Sequence, residues 1–202
     1  MKGMRICLLL LALVATGSAS AETRALLLMA NEYGTNYFLL REFMEEFGWD
    51  ITTTALTPTV TPCGSYGGPL GCQTVTVDLL LSEIEDVTAY DCLTLVSATA
   101  WEGNSHAQLL ESPEALAFVA EAAQAGMPVL AWCGATRVLA AADLIQGRTV
   151  TGHPLYEDEY IAAGATYIEG PPPPIVDGNI ITARRGQYYA PEAIDVIAVA
   201  ID

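Results

Sequence analysis

The chain has 202 residues, 52% of them hydrophobic, and its 24 acidic residues outnumber 8 basic ones for a formal net charge of −16. So negative a chain repels nucleic-acid phosphates and anionic lipids, which argues against nucleic-acid binding and against attachment to such membranes. The length suits one domain with one substantial core.

The N-terminal segment is typical of a secretory signal peptide. Two basic residues precede an apolar run over residues 6–15, and small residues follow as far as Ala21. The run is about half the roughly 20 residues that a membrane-spanning helix needs, and an Ala-Ser-Ala tripeptide ending at Ala21 offers a cleavage site. We therefore expect residues 1–21 to be removed, leaving a single domain over residues 22–202 with no stable membrane anchor and a periplasmic or extracellular location.

Beyond this segment, short apolar runs alternate with helical patterns, which predicts an α/β fold with a mainly parallel sheet and helices on both faces. In chain order we predict a strand at 25–29, a helix at 37–47, a strand at 49–56, a hairpin or excursion around 75–77, a strand at 92–96, a helix at 113–125 and a strand at 128–132. There follow a helix at 135–145, a strand at 149–151, a helix at 155–163, a polyproline connector at 171–174, a hairpin turn at 176–180 and a helix at 191–201.

Four cysteines follow the predicted cleavage site. Cys63 and Cys72 bracket a loop rich in glycine and proline whose ends can come together, and an exported protein keeps its disulfides, so we predict a bridge between them. Metal binding by this pair is the alternative, but no second Cys/His pair stands at zinc spacing, and no metal is expected. Cys92 lies within an apolar strand and is expected to be a buried, inert thiol.

Cys133 stands at the strongest local signal, where the chain turns directly from a buried strand into a helix. Such a turn exposes the side chain beyond the carboxyl end of the strand, where ligands bind in open parallel sheets. The start of the helix favours a thiolate and supplies N–H donors for a developing oxyanion. From this pattern alone, a nucleophile and a packed core cysteine are equally good interpretations.

Five stretches of the sequence resemble the ThiJ/PfpI superfamily: 126–133, 142–151, the pair His153-Pro154, 162–167 and 176–184. The resemblance as a whole extends over nearly all of the mature chain and is most specific from Tyr90 onward. The resemblance implies a flavodoxin-like three-layer sandwich. It also implies kinship with protein deglycases, glutathione-independent glyoxalases, intracellular proteases and stress-related thiol proteins, and it is closer to the deglycase branch than to the proteases.

The resemblance also assigns roles to residues around Cys133. It implies that Glu32 is the acidic partner of the cysteine, and a carboxyl beside a thiolate is pushed toward the neutral form that can donate a hydrogen bond to it. It likewise matches His153 to a histidine that could exchange protons with a carbonyl substrate. Taken alone, Glu32 is explained as a charge at a helix start, and a lone histidine such as His153 is more often an ordinary loop residue. His106 is the competing proton carrier, and Arg184 matches a loop at the pocket rim or balances local carboxylates.

Three departures from the superfamily bear on function. Gly134 replaces the histidine that follows the cysteine in many of the proteases, which argues against a Cys-His dyad protease. Ser97-Ala98-Thr99 replaces a Gly-Gly oxyanion turn, so Ala98, Thr99 and Gly134 are candidate oxyanion or pocket residues of altered geometry. The late H-x-E pair of glutamine amidotransferases is missing, which argues against that activity.

The function hypothesis is a cysteine-dependent enzyme that acts on a small reactive carbonyl or its protein adduct, with no cofactor. The alternative is a non-catalytic thiol redox sensor or ligand-binding module on the same fold. The expected partner in either case is a small molecule. The sequence allows a homodimer without fixing the oligomeric state.

Overall fold

The structure is a computed structural model that describes residues 22–34, 36–63, 73–98, 106–170, 172–184 and 186–201. The predicted signal peptide, Cys72 and Thr99 therefore lie outside the described residues. Within the described ranges, no helix is long and apolar enough to cross a membrane.

The strands, in chain order, are β1 (Arg24–Leu28), β2 (Asp50–Ala55), β3 (Thr59–Val60), β4 (Val75–Thr76), β5 (Leu79–Leu80), β6 (Cys92–Leu95), β7 (Val129–Trp132), β8 (Thr149–Val150), β9 (Thr166–Tyr167), β10 (Ile175–Asp177) and β11 (Ile180–Ala183). Seven of them form one sheet in the order β10-β11-β7-β6-β1-β2-β5. All neighbours in it are parallel except β10 and β11, which form the predicted hairpin. The pairs β3–β4 and β8–β9 lie outside this sheet.

The helices are α1 (Asn36–Glu46), α2 (Ala107–Leu110), α3 (Pro113–Gln124), α4 (Thr136–Ala141), α5 (Glu157–Ala162) and α6 (Gly186–Ile201). The start of α3 shows why the sequence folds as predicted. The Ser112 side chain accepts a hydrogen bond from the backbone N–H of Ala115 at 3.2 Å, and Pro113 occupies the first turn. A proline is tolerated there because its missing N–H would have no helical partner.

The largest differences between the predicted and observed helices concern α4 and α6. α4 is shorter than predicted because a 3-10 turn over Cys133–Ala135 precedes it and the chain leaves the helix at Asp143, whose φ is 58°. α6 begins at Gly186 and contains Pro191 in its interior, whereas the prediction placed that proline at the helix start because proline favours the first turn.

Two apolar cores cover the two faces of the sheet. Leu26 and Leu28 of β1 pack into the core that includes α3 and α4, whereas Ala25 and Leu27 pack into the core that includes α1 and α6. All four side chains are fully buried. Each buried leucine contributes about 1.5–3 kcal/mol relative to an exposed one. The prediction of an α/β sandwich with helices on both faces is confirmed.

The sheet topology determines where a ligand would bind. Strands β2, β1, β6, β7 and β11 run in the same direction, so their carboxyl ends lie along one edge of the sheet. The strand order reverses between β1 and β6, and the crevice beyond such a switch point is the usual ligand site of open α/β sheets. The loops at this edge carry Glu32, Ala98, Cys133 and Arg184.

Candidate active site

Cys133 occupies the sharp turn that the sequence predicted. The strand β7 ends at Trp132 in an extended conformation, and Cys133 then adopts a φ of 53°, in the left-handed region. This conformation costs an L-amino acid other than glycine about 1–2 kcal/mol. The thiol residue is partly exposed, and the buried Gly134 and Ala135 lead from it into α4. The geometry matches that of a nucleophile raised above the sheet at a strand-to-helix turn.

The carbonyl oxygen of Cys133 accepts two hydrogen bonds. The backbone N–H of His153 donates one at 3.1 Å, and the hydroxyl of Tyr160 donates the other at 3.5 Å. Burial raises the pKa of Tyr160, and the negative charge of a Cys133 thiolate adds to that shift. The phenol therefore stays protonated and remains a donor. The structure thus brings the backbone of His153 next to that of Cys133 and adds Tyr160, which the sequence analysis missed.

His153 is held by its own loop. It follows β8 and precedes the turn over Pro154–Tyr156, where its ring nitrogen Nδ1 accepts a hydrogen bond from the backbone N–H of Leu155 at 3.2 Å. An accepting Nδ1 carries no proton, so the proton of the neutral imidazole sits on Nε2. His153 is partly exposed. The loop therefore presets the tautomer that a proton-donating histidine needs.

Arg184 follows β11 at the same edge of the sheet. Burial raises the pKa of Tyr167, whereas the charge of Arg184 opposes that shift and Cys133 adds to it. Arg184 and Cys133 therefore both lie within electrostatic reach of the Tyr167 hydroxyl. The place of Arg184 at the rim of the site stays a prediction.

Glu32 lies beyond the end of β1 with a φ of 65° and an exposed side chain. Its backbone N–H donates to the carbonyl of Thr61 at 2.8 Å. It lines a cleft of about 310 Å³ together with Ala30, Asn31, Thr61, His106, Ala107 and Gln108. The hydrogen bond between its carboxyl and the Cys133 thiol that the resemblance implies stays a prediction.

His106 lies in the same cleft, but its ring is buried and engaged by the backbone. It is 2% exposed, and its Nε2 is 3.2 Å from the backbone nitrogen of Ala98 and 3.0 Å from the carbonyl oxygen of Val96. One nitrogen either accepts from the first or donates to the second, so the tautomer decides which contact is a hydrogen bond. His106 therefore fixes the segment after β6, where sequence reasoning placed the oxyanion turn.

Cys92 and Cys63 are the other two cysteines among the described residues. Cys92 is fully buried, which confirms the predicted burial, and this burial, with a smaller contribution from Asp91, raises the pKa of its thiol to about 12. Cys63 is a buried free thiol, whereas Cys72 lies outside the described residues, so the Cys63–Cys72 bridge is not shown and stays a prediction. In the described part of the chain, no three His, Cys, Asp or Glu side chains are grouped to hold a metal.

Comparisons with known proteins show what the chain is similar to. The model of the DJ-1/PfpI family matches residues 23–194. Protein DJ-1 homolog D of Arabidopsis thaliana is 27% identical over an alignment of 196 residues that covers 90% of this chain and 48% of that protein. A deglycase from Pyrococcus abyssi is 29% identical over 118 residues, or 58% of this chain and 66% of that protein. The chain thus spans about half to two thirds of the length of these curated relatives.

A solved structure confirms the fold. DJ-1beta of Drosophila melanogaster superposes with a TM-score of 0.72 over 89% of this chain and 91% of that chain, at 19% sequence identity. At this identity the likeness shows the flavodoxin-like fold alone.

Proposed function

Because the chain belongs to the DJ-1/PfpI family, we propose that it is an exported cysteine-dependent enzyme acting on small reactive carbonyls or on their protein adducts, as glyoxalases and deglycases do. The observation that carries the proposal is the left-handed backbone of Cys133, φ 53°, at the turn between β7 and α4. The deglycase among the relatives supports the substrate class. The place of Cys133 beyond the carboxyl end of a central strand supports its role as the nucleophile.

In the proposed reaction, the Cys133 thiolate attacks the carbonyl carbon. A sulfur–carbon bond forms, the π electrons of the carbonyl move to its oxygen, and the oxyanion meets the N–H groups at the start of the turn, Gly134 among them. His153 donates from Nε2 to that oxygen, and solvent replaces the proton that it passes on. The resemblance gives Glu32 the role of sharing the proton of the thiol, and its place at the same edge of the sheet supports this role.

One observation favours the alternative, a thiol sensor or ligand-binding module. The backbone N–H of Ala98 lies 3.2 Å from Nε2 of the buried His106. In the tautomer that accepts this bond, the N–H is not available to an oxyanion. A site that lacks this donor would still hold a reactive thiolate, but it would stabilise the tetrahedral adduct poorly.

Turnover of a glyoxal-type substrate by purified protein and by three single variants separates the two functions. Cys133→Ser should abolish turnover, and His153→Ala should reduce it by about 10²- to 10⁴-fold, the usual contribution of a general acid or base. Far-ultraviolet circular dichroism should show unchanged folds. His106→Ala is the internal control, and a larger loss there than in His153→Ala would show that the proton carrier is misassigned. A wild type that labels at Cys133 but turns over no dicarbonyl or glycated adduct would favour the sensor.

Export is tested separately from chemistry. The N-terminus of the protein recovered from an extracytoplasmic fraction should lie within about two residues of Glu22, since signal peptidases cleave after small residues such as Ala21. An intact Met1 in that fraction would contradict cleavage.

Non-reducing peptide maps of the same sample should show Cys63 linked to Cys72 and Cys133 free. A disulfide that contains Cys133 would contradict both the predicted bridge and the assignment of Cys133 as the nucleophile.

A further inference from the structure

Tyr160 lies wholly buried beneath the turn that carries the nucleophile. Its hydroxyl is 3.5 Å from the carbonyl oxygen of Cys133, and its side chain has no exposed surface. The same oxygen accepts the backbone N–H of His153 at 3.1 Å. One peptide oxygen therefore joins the nucleophile, the proposed proton donor and a phenol from α5.

Gly152 makes this approach of Tyr160 possible. A Cβ atom at position 152 would lie 2.8 Å from the hydroxyl oxygen of Tyr160 and 2.9 Å from two of its ring carbons, closer than real Cβ contacts. The glycine is therefore required by the space that the phenol occupies. The backbone on both sides of it is also tied down, because the Thr136 hydroxyl donates to the carbonyl of Thr151 at 3.0 Å.

The hydrogen bond from Tyr160 to the Cys133 carbonyl affects the N–H of Gly134. The carbonyl of Cys133 and the N–H of Gly134 belong to one peptide unit, which is planar. A donor on the oxygen fixes the orientation of this plane and polarises it, so that the N–H becomes a stronger donor. The N–H of Gly134 lies at the start of the helical turn, where backbone donors have no helical partner. A thiolate or an oxyanion at Cys133 is the group it would stabilise.

We propose that Tyr160 is a positioning residue of the active site, admitted by Gly152, that orients and polarises the Cys133–Gly134 peptide so that its N–H stabilises the thiolate and the oxyanion. The inference rests on the proposed function in that it takes Cys133 as the nucleophile. It explains together why Gly152 precedes His153 and why Tyr160 of α5 lies against the Cys133 carbonyl. Because the phenol touches no substrate, its effect passes entirely through the peptide.

The test is Tyr160→Phe, which keeps the ring and deletes the hydroxyl. We expect the rate of Cys133 alkylation by iodoacetamide at near-neutral pH to fall about 1.3- to 4-fold, because one donor on the oxygen strengthens the bond of the neighbouring N–H to a charged group by about 10–30%. The pH profile of alkylation should move to higher pH, and kcat should fall by a similar factor while KM is unchanged. Tyr156→Phe is the matched control, because among the described residues the buried Tyr156 hydroxyl has no hydrogen-bond partner; this variant should behave as the wild type.

Gly152→Ala gives an independent approach to the same contact, because the added methyl group must displace the phenol. It should slow alkylation of Cys133 as Tyr160→Phe does. An alkylation rate and pH profile of Tyr160→Phe that match those of the wild type would overturn the proposal, whether or not Gly152→Ala folds. A shifted profile without turnover of any carbonyl by the wild type would keep the positioning role and contradict the proposed enzyme. Turnover of a carbonyl by the wild type, together with an unshifted pH profile of Tyr160→Phe, would keep the proposed enzyme and contradict the positioning role of Tyr160.

Discussion

The stability of two variants at Cys133 tests whether the backbone of the nucleophile is strained. At a φ of 53°, alanine retains the Cβ that crowds the backbone, whereas glycine has none. The left-handed conformation costs an L-residue about 1–2 kcal/mol, and glycine gives back about 0.5–1 kcal/mol through its freedom in the unfolded chain. Cys133→Gly should therefore be more stable than Cys133→Ala by about 1 kcal/mol.

Urea denaturation followed by circular dichroism measures this difference, and thermal melting should show it as a Tm about 2–4 °C higher for the glycine variant. Comparing two variants with each other removes the effects of the lost thiol, which both share. Ala117→Gly supplies the control of opposite sign, since Ala117 is an exposed residue within α3 and glycine there should destabilise by about 1 kcal/mol. Equal stability, or a more stable alanine variant, would show that the turn at Cys133 stores no strain.

Three further predictions concern other parts of the fold. Burial raises the pKa of the Cys92 thiol from 9.0 to about 12. The thiol therefore ionises at lower pH in the unfolded chain than in the folded one, and the folded state loses stability as the pH rises above about 9. Between about pH 8 and about pH 10, the unfolding free energy of the wild type should fall by about 1.4 kcal/mol more than that of Cys92→Val. Asn179→Ala should cost about 1–3 kcal/mol in urea denaturation, because the Asn179 amide donates to two backbone carbonyls at 2.8 and 2.9 Å near the end of α3. Glu32→Gln should change the pH profile of Cys133 alkylation without changing the circular dichroism spectrum, and an unchanged profile would remove Glu32 from the thiol's partners.

The strand-to-helix turn at Cys133 could be predicted because both of its signals are local. A buried apolar run ends at Trp132, small residues follow, and a helical pattern begins, so that sequence neighbours alone determine the turn. The sheet around it could be predicted for the same reason, since apolar runs separated by helices leave few arrangements other than a parallel sheet. The place of His153 beside the turn came from the resemblance and from the chain's return to the same edge.

Tertiary contacts between residues far apart in the sequence could not be predicted in the same way. Tyr160 lies in a short helix with nothing in its sequence neighbourhood to mark it, and its contact with the Cys133 carbonyl depends on how α5 packs against α4. His106 was weighed as a proton carrier because it follows the central strand. Only its burial and its contacts with Val96 and Ala98 show that the backbone engages the ring. The left-handed φ of Cys133 is likewise a detail that the apolar periodicity of the sequence does not report.

The most direct test of the role of Cys133 is to locate the covalent adduct that a carbonyl electrophile forms with the folded protein. Purified protein would be treated with an α-halo carbonyl compound, from which the attacking thiolate displaces halide to leave a stable thioether, and the labelled peptide would be identified by mass spectrometry under native and unfolded conditions. The account predicts a label on Cys133 in the folded protein, with Cys92 labelled only after unfolding. A folded protein that takes up no label at Cys133, or that is labelled first at Cys92, would contradict the assignment of Cys133 as the nucleophile.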